Sequence, residues 1–295
     1  MIHTEERKML KRGDGAALTA CSDGLSPNRQ KEVKELIDYL KGLGLRPRIF
    51  GELFSKNGEA EAAGAKARAE ALNEAYRASD IRAVFDLSGG DLANEILPYI
   101  DMAALKADPK PLWGYSDLTC VLNAAAAKAG VPSVLWQARN LAGACAGLQR
   151  EAFEAFLNGD AAPLFELPVR RIRGELPDAP AVGGNCRCLL KLAGTPYWPD
   201  FTGRLLVLES LGGGEARIAA YFAQLRQTGA FDAASGLLLG TFTELERTAG
   251  PDAAVRLALR CCPSDLPAAK TDKVGHGPDA AAVLLGKAPV LVQEK

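Results

Sequence analysis

The segment Lys110-Pro111-Leu112-Trp113-Gly114-Tyr115-Ser116-Asp117-Leu118-Thr119 carries the residue types that acyl transfer needs. A short apolar run ends in a glycine, an aromatic, a serine and an aspartate, and an alanine-rich stretch with helical spacing follows at once. A strand that turns sharply into a helix reads this way when a serine stands at its apex. Such a turn holds the Ser116 hydroxyl clear of its neighbours and close to a helix N-terminus, where free backbone N–H groups can meet a developing oxyanion. The same residues also suit a plain helix cap, because Ser and Asp both cap well.

A serine nucleophile needs a base, and the chain has two histidines, His3 and His276. His3 lies near the terminus, whereas His276 stands between Gly275 and Gly277, in a tight loop that lets the backbone approach another surface. His276 is therefore the credible imidazole, although a lone histidine is more often structural or solvated. Glu209 closes the apolar run 205–208 and precedes Ser210-Leu211-Gly212-Gly213-Gly214. A carboxylate there sits at the rim of a core, where burial can hold it in one position; a solvated strand-end Glu is the plain alternative. The glycine run lacks the Lys-Ser/Thr of a phosphate loop and reads as a flexible loop. Gly89-Gly90 follows another apolar run and can present amides to a negative oxygen, or simply turn the chain.

Stepping outward from these residues, the chain alternates strand and helix. Strands are expected at 17–21, 46–50, 81–87 and 111–114, with helices at 28–43, 60–78 and 118–129 and helical turns over 91–97. This βαβα order implies a mostly parallel sheet covered on both faces, with ligands bound beyond the C-terminal strand ends. Ser22, Gly89-Gly90 and Ser116 all fall at such ends. Arg139 follows a fifth strand on the same rim and is a candidate partner for a substrate carboxylate, with a surface arginine as the alternative. Residues 158–180 are rich in proline and charge and read as a domain connection. Beyond it come a helix at 185–192, a strand at 204–208 ending in Glu209, a helix at 216–227, a strand at 237–241, a helix at 252–259 and a terminal hairpin around 282–292.

Composition narrows the partners. The 295 residues are 48% hydrophobic and 24% charged, with a net charge of −1. No basic excess points to nucleic acid, and no apolar run approaches the roughly 20 residues that cross a bilayer. Residues 1–8 are charged and 16–21 too short for a signal segment, so a cytoplasmic protein is expected. Seven cysteines, an odd number in apolar surroundings, suit a reducing compartment. Cys186/Cys188 and Cys261/Cys262 lack metal-ligand spacing, so neither a metal nor another cofactor is expected.

Four segments together resemble the serine LD-carboxypeptidases and their relatives, the microcin C immunity peptidases. They are Leu87-Ser88-Gly89-Gly90 with Asn94 to Asp101; Lys110 to Thr119; Gly183-Gly184-Asn185 with Gly194 to Asp200 and the Glu209 strand; and Gly275-His276 followed by Gly286. Trp136 to Asn140 departs from the family's His-Gly-Pro-like segment, and Asp91-Leu92 replaces aromatic and Arg residues of bacterial carboxypeptidases. The resemblance implies Ser116 as nucleophile, His276 as general base and Glu209 as the carboxylate orienting it. The amides of Asp117 and of Gly90 or Gly89 would form the oxyanion hole. It also implies a Rossmann-like N-terminal domain (1–160) carrying Ser116 and a smaller α/β C-terminal domain (161–295) carrying Glu209 and His276. The implied activity is a serine carboxypeptidase that releases terminal D-Ala from a murein tetrapeptide, as in peptidoglycan recycling. The alternatives are a microcin-type immunity peptidase or amidase, and a ligand-binding α/β protein without chemistry. The sequence leaves a homodimer open.

Overall fold

Short apolar runs, most of them three to six residues long, set the strands of this computed structural model, which describes residues 10–56 and 59–294. His3 and the charged residues 1–8 lie outside the described residues. The strands are β1 (Gly15–Thr19), β2 (Arg46–Ile49), β3 (Ile81–Asp86), β4 (Leu112–Gly114), β5 (Ser133–Leu135) and β6 (Glu166–Arg173). They continue with β7 (Ala181–Asn185), β8 (Leu205–Ser210), β9 (Gly236–Phe242), β10 (Ala268–Lys270), β11 (Val283–Leu285) and β12 (Val290–Gln293). β1, β4, β5, β7 and β8 are buried along their whole length, as expected for parallel strands covered on both faces.

All twelve join one sheet in the order β12-β6-β10-β9-β8-β7-β11-β5-β4-β3-β1-β2. Neighbours run parallel except at β5–β11 and β6–β10. The mostly parallel α/β architecture expected from the sequence is the one observed. Seven helices matter for the site: α1 (Gln30–Gly42), α2 (Ala65–Arg77), α3 (Met102–Ala107), α4 (Thr119–Ala129), α5 (Ala146–Leu157), α6 (Ala162–Phe165) and α7 (Cys186–Leu190). α1 and α5 cover one face of the first half-sheet through Val33, Leu36, Leu40, Phe153 and Phe156. There Trp113 lies 5.4–6.5 Å, centroid to centroid, from Phe85, Trp136, Phe153, Phe156 and Phe165. That aromatic cluster fixes β4, the strand that leads to Ser116. α2 and α4 cover the opposite face. No helix among the described residues is long and apolar enough to cross a membrane.

Several elements differ from the sequence expectation. The helix expected over 60–78 starts at Ala65, because Gly64 caps it in extended conformation. Residues 158–180 are not a bare connection: they contain β6, which pairs with both β10 and β12. The buried Leu167 and Val169 alternate with Pro168 and Arg170, and the proline and charges hid that period of two. β7 was not expected, since its Gly183-Gly184 pair has low strand propensity; a Cβ at Gly183 would run into the Val207 carbonyl, so glycine lets β7 lie against β8. No hairpin forms around 282–292. β11 sits between β5 and β7, while β12 pairs with β6 at the sheet edge. Gly286, at φ +80°, turns the chain between them.

The two halves interlock at α4. On its β11 side β7 is paired at Ala181, and the Asn123 side chain supplies the ladder at Gly183. Its Oδ1 accepts from the Gly183 amide at 3.0 Å and its Nδ2 donates to the Gly183 carbonyl at 2.8 Å. The Asn185 amide likewise donates to Thr119 Oγ1 at 3.0 Å. Asn123→Leu would bury both Gly183 groups without partners. We expect it to lower unfolding free energy by about 2–4 kcal/mol, read as a fall in the urea midpoint. An unchanged midpoint would mean that Asn123 does not hold the halves together.

Candidate active site

Ser116 stands at the apex between β4 and α4, in a 3₁₀ turn over Ser116–Leu118. Its φ is +56°, the one positive value at a non-glycine residue among the described residues. That conformation costs roughly 1–2 kcal/mol for a residue with a Cβ. It is held by the Leu118 amide donating to the Tyr115 carbonyl at 3.1 Å. Gly114 is needed below, because a Cβ there would lie 2.9 Å from that of Leu118.

Glu209 and His276 arrive from the second half. The β8–β9 register shifts between Leu208 and Ser210, and such an irregularity re-aims the side chain at its centre. Glu209 is fully buried. Its Oε1 accepts from Asn185 Nδ2 at 2.9 Å, across the β7–β8 pair, and its Oε2 lies 2.8 Å from His276 Nδ1. A proton on Nδ1 is thereby donated to the carboxylate. Nε2 is buried and has no partner among the described residues. The rings of Tyr115 and His276 pack in a T-shaped arrangement at 5.1 Å between centroids, and burial, with the Glu209 charge adding to it, pushes the phenol pKa up. Gly275 seats the histidine loop on β9, since a Cβ there would collide with Thr241.

Ser116 and His276 line one cavity of about 410 Å³, together with Gly89, Gly90 and Arg139. The hydrogen bond expected between Ser116 Oγ and His276 is not formed, consistent with catalytic contacts that tighten only around substrate. A larger cavity of about 920 Å³ lies at the opposite strand ends, by Pro111 and Pro132.

The glycine turn is tightly determined. A Cβ at Gly89 would sit 3.8 Å from that of Ser116, which places this turn beside the serine. Gly90 has φ +130°, and a Cβ there would strike the Asp23 carboxylate. Asp23 Oδ1 accepts from the amides of Asp91 and Leu92 at 2.9 and 3.1 Å, and so fixes the turn. Arg187 of α7 donates to the Gly90 carbonyl at 2.9 Å and pairs with Asp91. The amides of Gly89, Gly90 and Asp117 have no partner among the described residues.

The Asp117 side chain does other work. Fully buried, it accepts from Ser22 Oγ at 2.7 Å, the Ala93 amide at 2.8 Å and Lys191 Nζ at 2.5 Å. Beneath it Asp86 accepts from Thr19, the Cys21 amide and both donors of Ser88. Burial raises the Asp86 pKa, and these hydrogen bonds oppose the rise. Sequence reasoning missed Asp23, Asp86, Asn185, Arg187 and Lys191. Asp86 and Asn185 carry the signal of a polar residue closing a strand, whereas Asp23, Arg187 and Lys191 lie farther along the chain and carry none. Arg139 donates from Nε to the Leu87 carbonyl at 2.7 Å and from Nη1 to Glu32 at 3.1 Å, and burial draws its pKa down. Cys186, Cys188 and Cys262 are buried, and no cluster of three or more metal-ligating side chains occurs among the described residues.

A mostly parallel α/β sheet thus brings a serine at positive φ to one strand end, with a buried glutamate and its partly buried histidine partner on the same rim. Residues 16–135 match the LD-carboxypeptidase N-terminal domain and residues 178–291 the LD-carboxypeptidase C-terminal domain, and the chain belongs to the LD-carboxypeptidase family. It is 27% identical to a probable murein peptide carboxypeptidase of Bacillus subtilis (strain 168), over 98% of this chain and 92% of that one. It is 30% identical to the murein tetrapeptide carboxypeptidase of Pseudomonas aeruginosa, over 61% and 62% of the two chains. Among solved structures, an MccF-like protein from Bacillus anthracis str. Ames superposes with a TM-score of 0.81 at 20% identity, covering 94% of this chain and 93% of that one.

The two glycines of the turn separate by experiment. Gly90→Ala forces a Cβ onto Asp23 at a φ unsuited to alanine and should lower kcat/KM at least tenfold, whereas Gly89→Ala should change it by less than about threefold. Equal effects in steady-state kinetics would contradict this placement.

Proposed function

We propose that the protein is a serine carboxypeptidase that cleaves the L,D-peptide bond of a murein tetrapeptide and releases its terminal D-Ala through an acyl-enzyme. One observation carries the reading. Ser116, held at φ +56°, shares a cavity with a His276 whose Nδ1 is engaged by buried Glu209 and whose Nε2 has no partner.

The chemistry follows from that arrangement. Ser116 Oγ attacks the carbonyl carbon of the scissile bond while Nε2 takes its proton. Glu209 holds the imidazole in the tautomer that allows this and stabilises the imidazolium. The oxyanion of the tetrahedral adduct meets the free amides of Asp117 and of Gly90 or Gly89. Collapse breaks the C–N bond, and His276 returns the proton to the departing amine. Water, activated by the same imidazole, then attacks the ester and frees Ser116. Arg139, whose guanidinium faces the same cavity from the β5 end, takes the free carboxylate of the terminal residue.

Support comes from the family and from the relatives' names, which are those of murein peptide carboxypeptidases. Purified protein should release D-Ala from murein tetrapeptide, followed by chromatography of the tripeptide product. Ser116→Ala should fold normally and lose turnover, retaining at most the roughly 10³–10⁴-fold over water that binding and the oxyanion hole can sustain alone. Arg139→Ala should impair the tetrapeptide more than its C-terminally amidated analogue. Wild-type turnover in Ser116→Ala, or cleavage of a peptidyl-adenylate analogue but not of the tetrapeptide, would overturn the assignment.

A further inference from the structure

Arg139 is not alone on its wall of the cavity. Glu32, in the first turn of α1, lines the same space with Arg29. Its Oε1 lies 3.1 Å from Arg139 Nη1 and its Oε2 lies 2.6 Å from Arg29 Nη1. The Arg29 contact alone is an ordinary i,i+3 surface pair. The contact with Arg139 is different, because it reaches across 107 residues of chain to a guanidinium only 19% exposed. Arg139 spends Nε on the Leu87 carbonyl and Nη1 on Glu32, and Nη2 keeps no partner among the described residues. A half-buried cation with one donor side free is built for an anion. Glu32 is the one acidic residue among those lining the cavity.

Counting formal charges, Arg29 and Arg139 against Glu32 leave the wall at +1. One carboxylate neutralises it. A leaving residue with a second, side-chain carboxylate would place that charge beside Glu32, where like charges at close range repel. We infer that Glu32 is a specificity-determining residue of the leaving-group subsite: it restricts the released amino acid to one that carries a single carboxylate and excludes acidic D-residues. This rests on the reading of Arg139 as the carboxylate partner given above.

The inference is tested with two tetrapeptides that differ only in the terminal residue, D-Ala or D-Glu. Their Kd values are measured by calorimetry on Ser116→Ala protein, and kcat/KM on protein with Ser116 in place. The native wall should bind and cleave the D-Ala peptide in preference. Glu32→Gln, which brings the wall to +2 with little change in volume, should raise the D-Glu to D-Ala ratio at least tenfold in both measurements. Arg29→Gln added to Glu32→Gln restores +1 and should return the ratio towards the native value, provided thermal melting shows both variants folded. A ratio unmoved by Glu32→Gln, or one that does not fall back in the double variant, would overturn the inference. Selective binding without cleavage by the protein that retains Ser116 would support the subsite and contradict the peptidase reading, so the two fail separately.

Discussion

The carboxylate of Asp117 has no contact with water and accepts three hydrogen bonds, and the geometry of the whole rim depends on it. Its donors come from the loop after β1 (Ser22), from the start of the 3₁₀ helix that follows β3 (Ala93) and from the residue that follows α7 (Lys191). One side chain thus fixes three loops against the residue next to Ser116. A buried charge of this kind is tolerable only when it is fully partnered, so losing any donor disturbs the rest. Asp86 repeats the device one layer down and ties Ser88, and with it the Gly89-Gly90 turn, to the same loops. Strain at Ser116 can persist because its surroundings are determined this tightly.

The second half-sheet supplies the complement. Asn185 and Glu209 are register partners on β7 and β8, so the amide that holds the carboxylate is delivered by the sheet itself. β7 is in turn held to α4 by Asn123 and Thr119, the helix that opens just after Ser116. A displacement of one half against the other would therefore break hydrogen bonds on the path between Ser116 and Glu209. Arg187 and Lys191 add two cations from α7 and its C-terminal neighbour, one on the Gly90 carbonyl and one on Asp117. The separation of serine from histidine is thus set by the side-chain hydrogen bonds that tie β7, β8, α4 and α7 together.

Much of this was legible in the chain, for identifiable reasons. The order of strands and helices in the first half follows from apolar runs broken by Gly, Ser and Asp. Ser116, Glu209 and His276 stood out because each has an unusual local setting: an apex after a strand, the end of an apolar run, a glycine-flanked loop. Their meeting in space was legible only through the family resemblance and not from the residues alone, because it needs β11 inserted between β5 and β7 to join the halves. β6 and β7 were obscured by Pro168 and by Gly183-Gly184, residues that argue against strands on propensity and are accepted for pairing or close approach. Asp117 was read for its amide, while its side chain turned out to be a buried tie. Lys191 and Arg187 look like solvated charges until the fold brings them to the rim.

The central claim is that Ser116 is the activated nucleophile of a Ser–His–Glu set. It is tested most directly by reacting the native protein with an alkyl fluorophosphonate and locating the adduct by mass spectrometry of the digested chain. The account predicts one adduct, on Ser116, formed much more slowly in Glu209→Gln and not at all in Ser116→Ala. Absence of labelling in the native protein, or an adduct on another residue, would contradict it.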